Sequence, residues 1–189
     1  MTENHSDEEL VALTLKNQDN FVLIINRYKD KLFNYIRRIT SIRDEDAEDL
    51  LQDIFLKVYL NLNDFDKDLK FSSWIYAITH NQVISQHRKT SVRAEGHSTT
   101  LEDDSARKLA SSINIEQELD ILYLKDKVAQ VLYALTEKYR EVLVLRFLEE
   151  KNYQEISDII KKPVGTVGSL MNKAKSEFKK ELQKQQIKI

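Results

Sequence analysis

Three glycines and one proline in 189 residues leave this chain almost without the residues that reverse a backbone sharply. Sheets built from tight hairpins need such residues at every turn, so a strand-rich fold is starved of its connections and the chain is expected to be all-α. The few breakers are also crowded together. Pro163, Gly165 and Gly168 fall within six residues of one another, so the sharpest interruption is expected there.

The residues around that interruption, Asn152 to Phe178, read as two helices and a turn. Asn152 with Glu155 forms a capping-box pattern that starts a short helix, with Ile156, Ile159 and Ile160 on one face. Pro163 and Gly165 break it, and Val164 is expected to enter the turn as an apolar plug. In the next helix Val167, Leu170, Met171, Ala174 and Phe178 are spaced to pack inward. Thr166, Gly168, Ser169, Asn172, Lys173 and Ser176 are left for the opposite face. Short and basic side chains of this kind suit a helix lying in a DNA major groove. From Thr166 to Lys188 six lysines stand against two glutamates, in a chain of formal charge −2. That is an electrostatic footprint for phosphate.

Upstream, Ser6 with Glu9 makes a second capping box, opening a helix to about Lys16. Asp19 or Asn20 caps a longer helix through Ile39. A third runs from about Asp44 to Leu62, and Ser72 or Ser73 caps a fourth that continues to about Arg88. These four fit one small bundle. Periodicity then disappears from about Ser91 to Ile115, where small, polar and charged residues have linker composition. It resumes at Leu119, and Thr136 caps a helix leading into the helix-turn-helix. The expected organisation is a helical domain over residues 1–90, a flexible linker over 91–117 and a second helical domain over 118–189. About 25 linker residues relax to a ~30 Å span and stretch to ~85 Å.

The first domain is divided by charge. Asp44, Glu45, Asp46, Glu48, Asp49 and Asp53 give six acids in ten residues with no base. Phe71 to Arg93 has no acid but carries Trp74, Tyr76, His80, Asn81, Arg88 and Lys89. Aromatic, amide and guanidinium groups on an acid-free helix suit unstacked, single-stranded bases. Two partners are therefore expected, a basic protein surface and DNA.

Several classes are disfavoured. No glycine-rich phosphate loop, Gly-x-Ser-x-Gly elbow or cysteine nucleophile is present, so catalytic residues are not expected. The histidines at 5, 80, 87 and 97 lack metal-ligand spacing and are read as surface or groove residues; no metal and no cofactor is implied. With neither cysteine nor a basic-apolar leader nor a long apolar run, the expectation is a cytoplasmic protein without membrane insertion. The residues alone leave two other classes open, a dimeric helix-turn-helix regulator sensing a ligand through its N-terminal domain and a scaffold bundle without DNA.

In order and over nearly its full length, the chain resembles a group-IV, extracytoplasmic-function sigma factor of bacterial RNA polymerase. Asp46 to Leu62 (DAEDLLQDIFLKVYLNL) is similar to the region 2 helix that docks on the clamp helices of core polymerase. Phe71 to Lys89 (FSSWIYAITHNQVISQHRK) resembles the helix that opens and reads the minus-ten element. Leu135 to Lys175 resembles region 4, which reads the minus-thirty-five element and leans on the polymerase flap. The resemblance implies polymerase contacts at Asp49, Gln52, Asp53 and Phe55. For the minus-ten element it implies Trp74, Tyr76, Asn81, Arg88 and Lys89, with Asn81 capturing an unstacked base. For the minus-thirty-five element it implies Thr166, Ser169, Asn172, Lys173 and Lys175. Core RNA polymerase and promoter DNA are the implied partners, with room for an anti-sigma factor and none for a small-molecule substrate. The chain departs from the family at Gly168 and Leu170, where basic residues are common, so its minus-thirty-five sequence cannot be copied from relatives.

Overall fold

The computed structural model describes residues 5–91 and 126–185, with side chains in the first segment described through Gln86. Among these residues every regular element is helical. The linker expected at 91–117 lies, beyond Ser91, outside the described residues.

Helix α1 (Asp7–Lys16) opens on the Ser6–Glu9 capping box, both halves of which form. Asp7 then ties it to α2 (Phe21–Ile39), accepting from the Arg27 guanidinium at 2.9 Å and the Tyr28 hydroxyl at 2.5 Å. Burial, the Asp7 hydrogen bond and its negative charge push the Tyr28 hydroxyl well above its ordinary pKa, so it remains a donor. The turn before α2 differs from expectation. Asn17 caps a 3₁₀ turn at Gln18–Asn20, and the Asn20 amide donates to the Leu13 carbonyl instead of capping α2.

Helix α3 (Asp44–Leu60) ends two residues early because Leu62, buried, sits in a separate 3₁₀ turn. Helix α4 (Phe71–Ser91) also departs from the reading of Ser72 or Ser73 as its cap. Phe71 packs edge-on against Tyr28 and Phe65, at 5.7 and 5.3 Å between ring centres, and starts the helix before either serine. Ser73 Oγ is buried without a hydrogen-bond partner. Ile24, Leu32, Ile36, Leu50, Ile54, Val58 and Ile75 fill the core of this bundle.

The second unit begins with α5 (126–134) and α6 (Glu137–Leu143). Helix α6 widens into a π turn over Val144–Leu148, closed by the Glu149 N–H donating to the Val144 carbonyl at 3.0 Å. Next comes α7 (Tyr153–Ile160), opened by the expected Asn152–Glu155 capping box, and then α8 (Val164–Lys184). Lys161, left-handed at φ 51°, ends α7. Pro163 occupies the cap of α8, where its fixed φ and missing N–H do no harm. Gly165 therefore lies inside the helix instead of breaking it. Val164 is exposed, so it plugs nothing.

The two units do not stand apart. Helix α4 packs along α7, α2 meets α6, and the two hydrophobic cores run together. Arg140 stitches the seam. Buried to 7 % exposure, it donates to the carbonyls of Leu132, Tyr133 and Leu135 at 3.0, 2.9 and 3.1 Å, and to that of Ile39 across the seam at 3.3 Å.

Candidate nucleic-acid and polymerase interfaces

Three surfaces carry the residues singled out by sequence. The first is the outer face of α3. Asp49, Gln52 and Asp53 are all exposed on it, one turn apart. Leu56 and Leu60 continue the same stripe at helical spacing and are 57 % and 65 % exposed. Sequence reasoning named neither leucine, because both fall off the inward period of α3 and nothing local says what an outward leucine meets. Phe55 does not belong to the stripe. It is buried, edge-on to Phe21 at 6.4 Å, and supports the face from behind. The resemblance places Phe55 at or near the polymerase contact, and its burial puts it beneath the exposed stripe.

The second surface lies along α4. Trp74, Ile78, Asn81, Gln82 and Ser85 line one wall of a cleft of about 310 Å³, and Lys57, Asn61 and Asp64 line the other. This is within the ~300–1,000 Å³ range of small-ligand clefts. Trp74 is locked by Phe65 and Phe71 at 5.4 and 5.6 Å. Lys57 donates to the Gln82 side-chain oxygen across the cleft. Asn81 is exposed, and among the described residues its side-chain amide makes no hydrogen bond. The side chains of Arg88 and Lys89 lie outside the described residues.

Tyr76 and His80 point elsewhere, away from this cleft and into the seam between the units. Tyr76 is 2 % exposed and donates to Glu149 at 2.5 Å, while the Arg38 guanidinium holds the other Glu149 oxygen at 2.8 Å. His80, 7 % exposed, meets Glu141 at 2.5 Å, and Tyr35 donates to the same Glu141 oxygen at 2.8 Å. Burial and the facing carboxylates push the Tyr35 and Tyr76 hydroxyls well above their ordinary pKa. The reading of His80 as a surface or groove residue is thus wrong: its α4 position faces α6, a pairing no local pattern encodes. At the rim Lys70 reaches Glu155 at 2.8 Å. Partial burial draws the Glu155 carboxyl upward, but Lys70 and the Asn152 N–H together hold it below its ordinary value.

The third surface is the outer face of α8, where Thr166, Ser169, Asn172 and Lys173 are all exposed. Val167, Met171 and Ala174 anchor the opposite side with no exposure. Lys175 is exposed as well, on the flank of this face, with its ammonium 5.6 Å from the Phe147 ring centre. Gly168 lies on the flank, half-buried, with open space where a Cβ would be. Among the described residues no cluster of side chains could hold a metal, and no helix is long and apolar enough to cross a membrane.

Residues 24–93 match sigma-70 region 2 and residues 125–178 match sigma-70 region 4. The ECF RNA polymerase sigma factor SigW of Bacillus subtilis (strain 168) is 32 % identical over 169 residues, covering 87 % of this chain and 90 % of that protein. The ECF RNA polymerase sigma-E factor of Escherichia coli (strain K12) is 28 % identical and covers 97 % of each chain. Among solved structures, CnrH in complex with the cytosolic domain of CnrY aligns with a TM-score of 0.67 over 95 % of this chain and 98 % of that one, at 22 % identity. RpoE in complex with the anti-sigma factor NepR from Bartonella quintana aligns with a TM-score of 0.66 over 87 % of this chain and 97 % of that one, at 19 % identity.

Proposed function

The chain belongs to the extracytoplasmic-function branch of the sigma-70 family, and from that premise we propose which of its surfaces performs each part of a sigma factor's work. Such a factor binds core RNA polymerase and directs it to promoters. It contributes recognition and strand opening, while the chemistry of RNA synthesis belongs to the polymerase.

The exposed α3 stripe is the polymerase-docking face. Asp49 and Asp53 supply the charge that steers it to a basic surface, and Gln52 a hydrogen-bonding group between them. Leu56 and Leu60 supply the apolar area whose burial drives association. The cleft beside α4 captures an unstacked minus-ten base. Its distinguishing feature is that Asn81 offers a donor and an acceptor that nothing else among the described residues uses. An amide of that kind reads the edge of a base once the base has left the duplex, while Trp74 stiffens the cleft wall. Unstacking costs a few kcal/mol, and base contacts in the cleft offset that cost. The outer face of α8 reads duplex DNA at the minus-thirty-five element, with Ser169 and Asn172 toward base edges and Thr166 and Lys173 toward phosphate. The anti-sigma partner in the RpoE–NepR structure supports a regulator of the same kind for this chain.

The observation that carries this reading is the separation of the acidic α3 stripe from the polar face of α8, each exposed on its own unit. A ligand-sensing dimer would instead need an apolar pocket in the first unit, whereas the cleft beside α4 is lined mostly by polar and charged residues. Co-purification with core polymerase tests the docking face. The wild-type chain should be retained and the Asp49→Lys/Asp53→Lys variant lost, whereas equal retention would remove this face from the interface.

A further inference from the structure

A second cleft, of about 930 Å³, opens where α2 and the start of α4 meet the loop between the π turn and α7. That is the size of a small-ligand site, and neither polymerase docking nor DNA reading uses it. Two of its carboxylates are already engaged. Asp7 holds Arg27 and Tyr28, and Glu149 holds Arg38 and Tyr76. The other two, Asp30 and Glu150, are exposed to solvent.

What is left over is cationic and donating. Lys31 and Lys151 line the cleft from opposite units, with ammoniums 5.7 Å from the Tyr28 ring centre and 4.6 Å from that of Tyr76. Among the described residues neither ammonium makes a hydrogen bond or an ion pair with a carboxylate. The Ser72 hydroxyl and the Asn34 amide, on the same lining, also make no hydrogen bond among these residues. Two ammoniums, a hydroxyl and an amide are the kind of donors that hold oxyanions.

Lys151 is half-buried, and a covered charge is ordinarily paired, because desolvation without a counter-charge is costly. Burial lowers its pKa; nearby carboxylates oppose that effect, and the Lys31 ammonium adds to it. The loop holds it there firmly. Glu150, just before it, stands in left-handed backbone at φ 55°, uncommon for a residue other than glycine. The Lys151 N–H donates to the Leu145 carbonyl at 2.9 Å, and the Lys151 carbonyl accepts from Arg146 at 3.1 Å. A desolvated cation is thus fixed near a second cation, with no carboxylate in contact with either.

We infer that this cleft binds a multivalent phosphate anion, inorganic or carried on a nucleotide, with Lys31 and Lys151 on its charge and Ser72 and Asn34 as further donors. Two ammoniums call for two negative charges on one ligand, and four donor groups for several acceptor oxygens. A phosphate group meets both demands and a single carboxylate does not. Bound there, it bridges α2 and α4 to the loop before α7 and supplies the counter-charge that Lys151 lacks. None of the four donors belongs to the α3 stripe, the Asn81 cleft or the outer face of α8, so the site stands or falls apart from the sigma-factor reading.

The full chain is titrated calorimetrically with inorganic pyrophosphate and with ATP at constant ionic strength. Saturable one-to-one binding of at least one of them is expected. At a concentration about tenfold above Kd, that ligand should raise the thermal midpoint by about 3–6 °C. Lys31→Gln/Lys151→Gln should weaken binding about tenfold or more. The exposed pair Lys29→Gln/Lys67→Gln, equal in charge change, should bind within about twofold of wild type. Equal affinity for the two ligands supports an inorganic occupant, and tighter binding of ATP supports a nucleotide. Should the double variant fail to fold by circular dichroism, Lys31→Gln alone, at an exposed position, is judged by the same titration. Lys151→Met distinguishes an anion site from a merely structural lysine. It should raise the urea midpoint of the phosphate-free chain, by removing a desolvated charge, and abolish the thermal shift. A lowered midpoint with the shift intact, no saturable binding of either ligand, or equal weakening in the control pair would each overturn the inference.

Discussion

Arg140, on α6, donates to the carbonyl of Ile39 at 3.3 Å, at the last residue of α2, and so ties the first turn of α6 in one unit to the end of α2 in the other. The same guanidinium caps the carbonyls that end α5. Burial lowers its pKa from the ordinary arginine value, but nearby Tyr133 and Glu137 oppose that effect, and it remains charged near neutrality.

Arg140→Ala should therefore be among the most destabilising single changes outside the apolar core. It leaves several buried carbonyls without a donor and costs about 3 kcal/mol or more. Arg140→Lys should not restore the loss, because an ammonium cannot span the fork of acceptors a guanidinium reaches. Urea unfolding checks both variants, and a loss under 1 kcal/mol for alanine would contradict the role given to this residue.

On the reading helix the two candidate phosphate ligands should behave differently. Lys173→Ala should weaken promoter duplex binding and flatten the dependence of log affinity on log salt by about one unit. Lys175→Ala should flatten that slope less than Lys173→Ala, because its ammonium lies on the flank of α8, 5.6 Å from the Phe147 ring centre. Fluorescence anisotropy across a salt series distinguishes them.

Gly168 gives a prediction of opposite sign. Nothing lies within 4 Å of where its Cβ would be, and glycine inside a helix costs roughly 0.5–1 kcal/mol against alanine. Gly168→Ala should raise the urea midpoint by a corresponding amount. As Gly168 lies on the flank of α8, duplex affinity should stay within about twofold. A marked fall in affinity with normal folding would show that the backbone approaches DNA closely there.

The three buried tyrosines set an alkaline limit. Tyr28, Tyr35 and Tyr76 all have raised pKa values in the fold. A raised group contributes stability that is fully present below its unfolded value, about 10 for tyrosine, and lost as pH climbs toward the folded value. Stability should therefore be flat with respect to these groups through neutral pH and decline above about pH 10. Tyr35→Phe/Tyr76→Phe should soften that decline, which urea titrations from pH 8 to 11 would show.

The legible parts of this fold were local ones. Both capping boxes form as read, because Ser6 with Glu9 and Asn152 with Glu155 are three residues apart and need nothing distant. The outward residues of α8 followed from helical period, whereas the α3 set came from the family resemblance, and within it Phe55 is buried behind the exposed stripe. Period left Leu56 and Leu60 without a role, since it does not say whether an outward leucine meets solvent or a partner. What could not be read were pairings between distant residues. His80 and Glu141 are 61 residues apart in sequence, and Arg38 and Glu149 are 111 apart. No spacing rule links them, and an acid on a helix face reads by default as solvated charge. The start of α4 at Phe71 was lost for a similar reason, since an aromatic cluster with Phe65 and Tyr28 outweighed the serines as an initiation signal.

The most direct test of the account is run-off transcription from genomic fragments by purified core RNA polymerase, with and without this chain. Discrete start sites should appear only when the chain is added. They should vanish with Asp49→Lys/Asp53→Lys and weaken with Asn81→Ala as promoter opening slows. If the wild-type chain directs no start site on any fragment, the assignment of α3, α4 and α8 to docking, melting and duplex reading is contradicted.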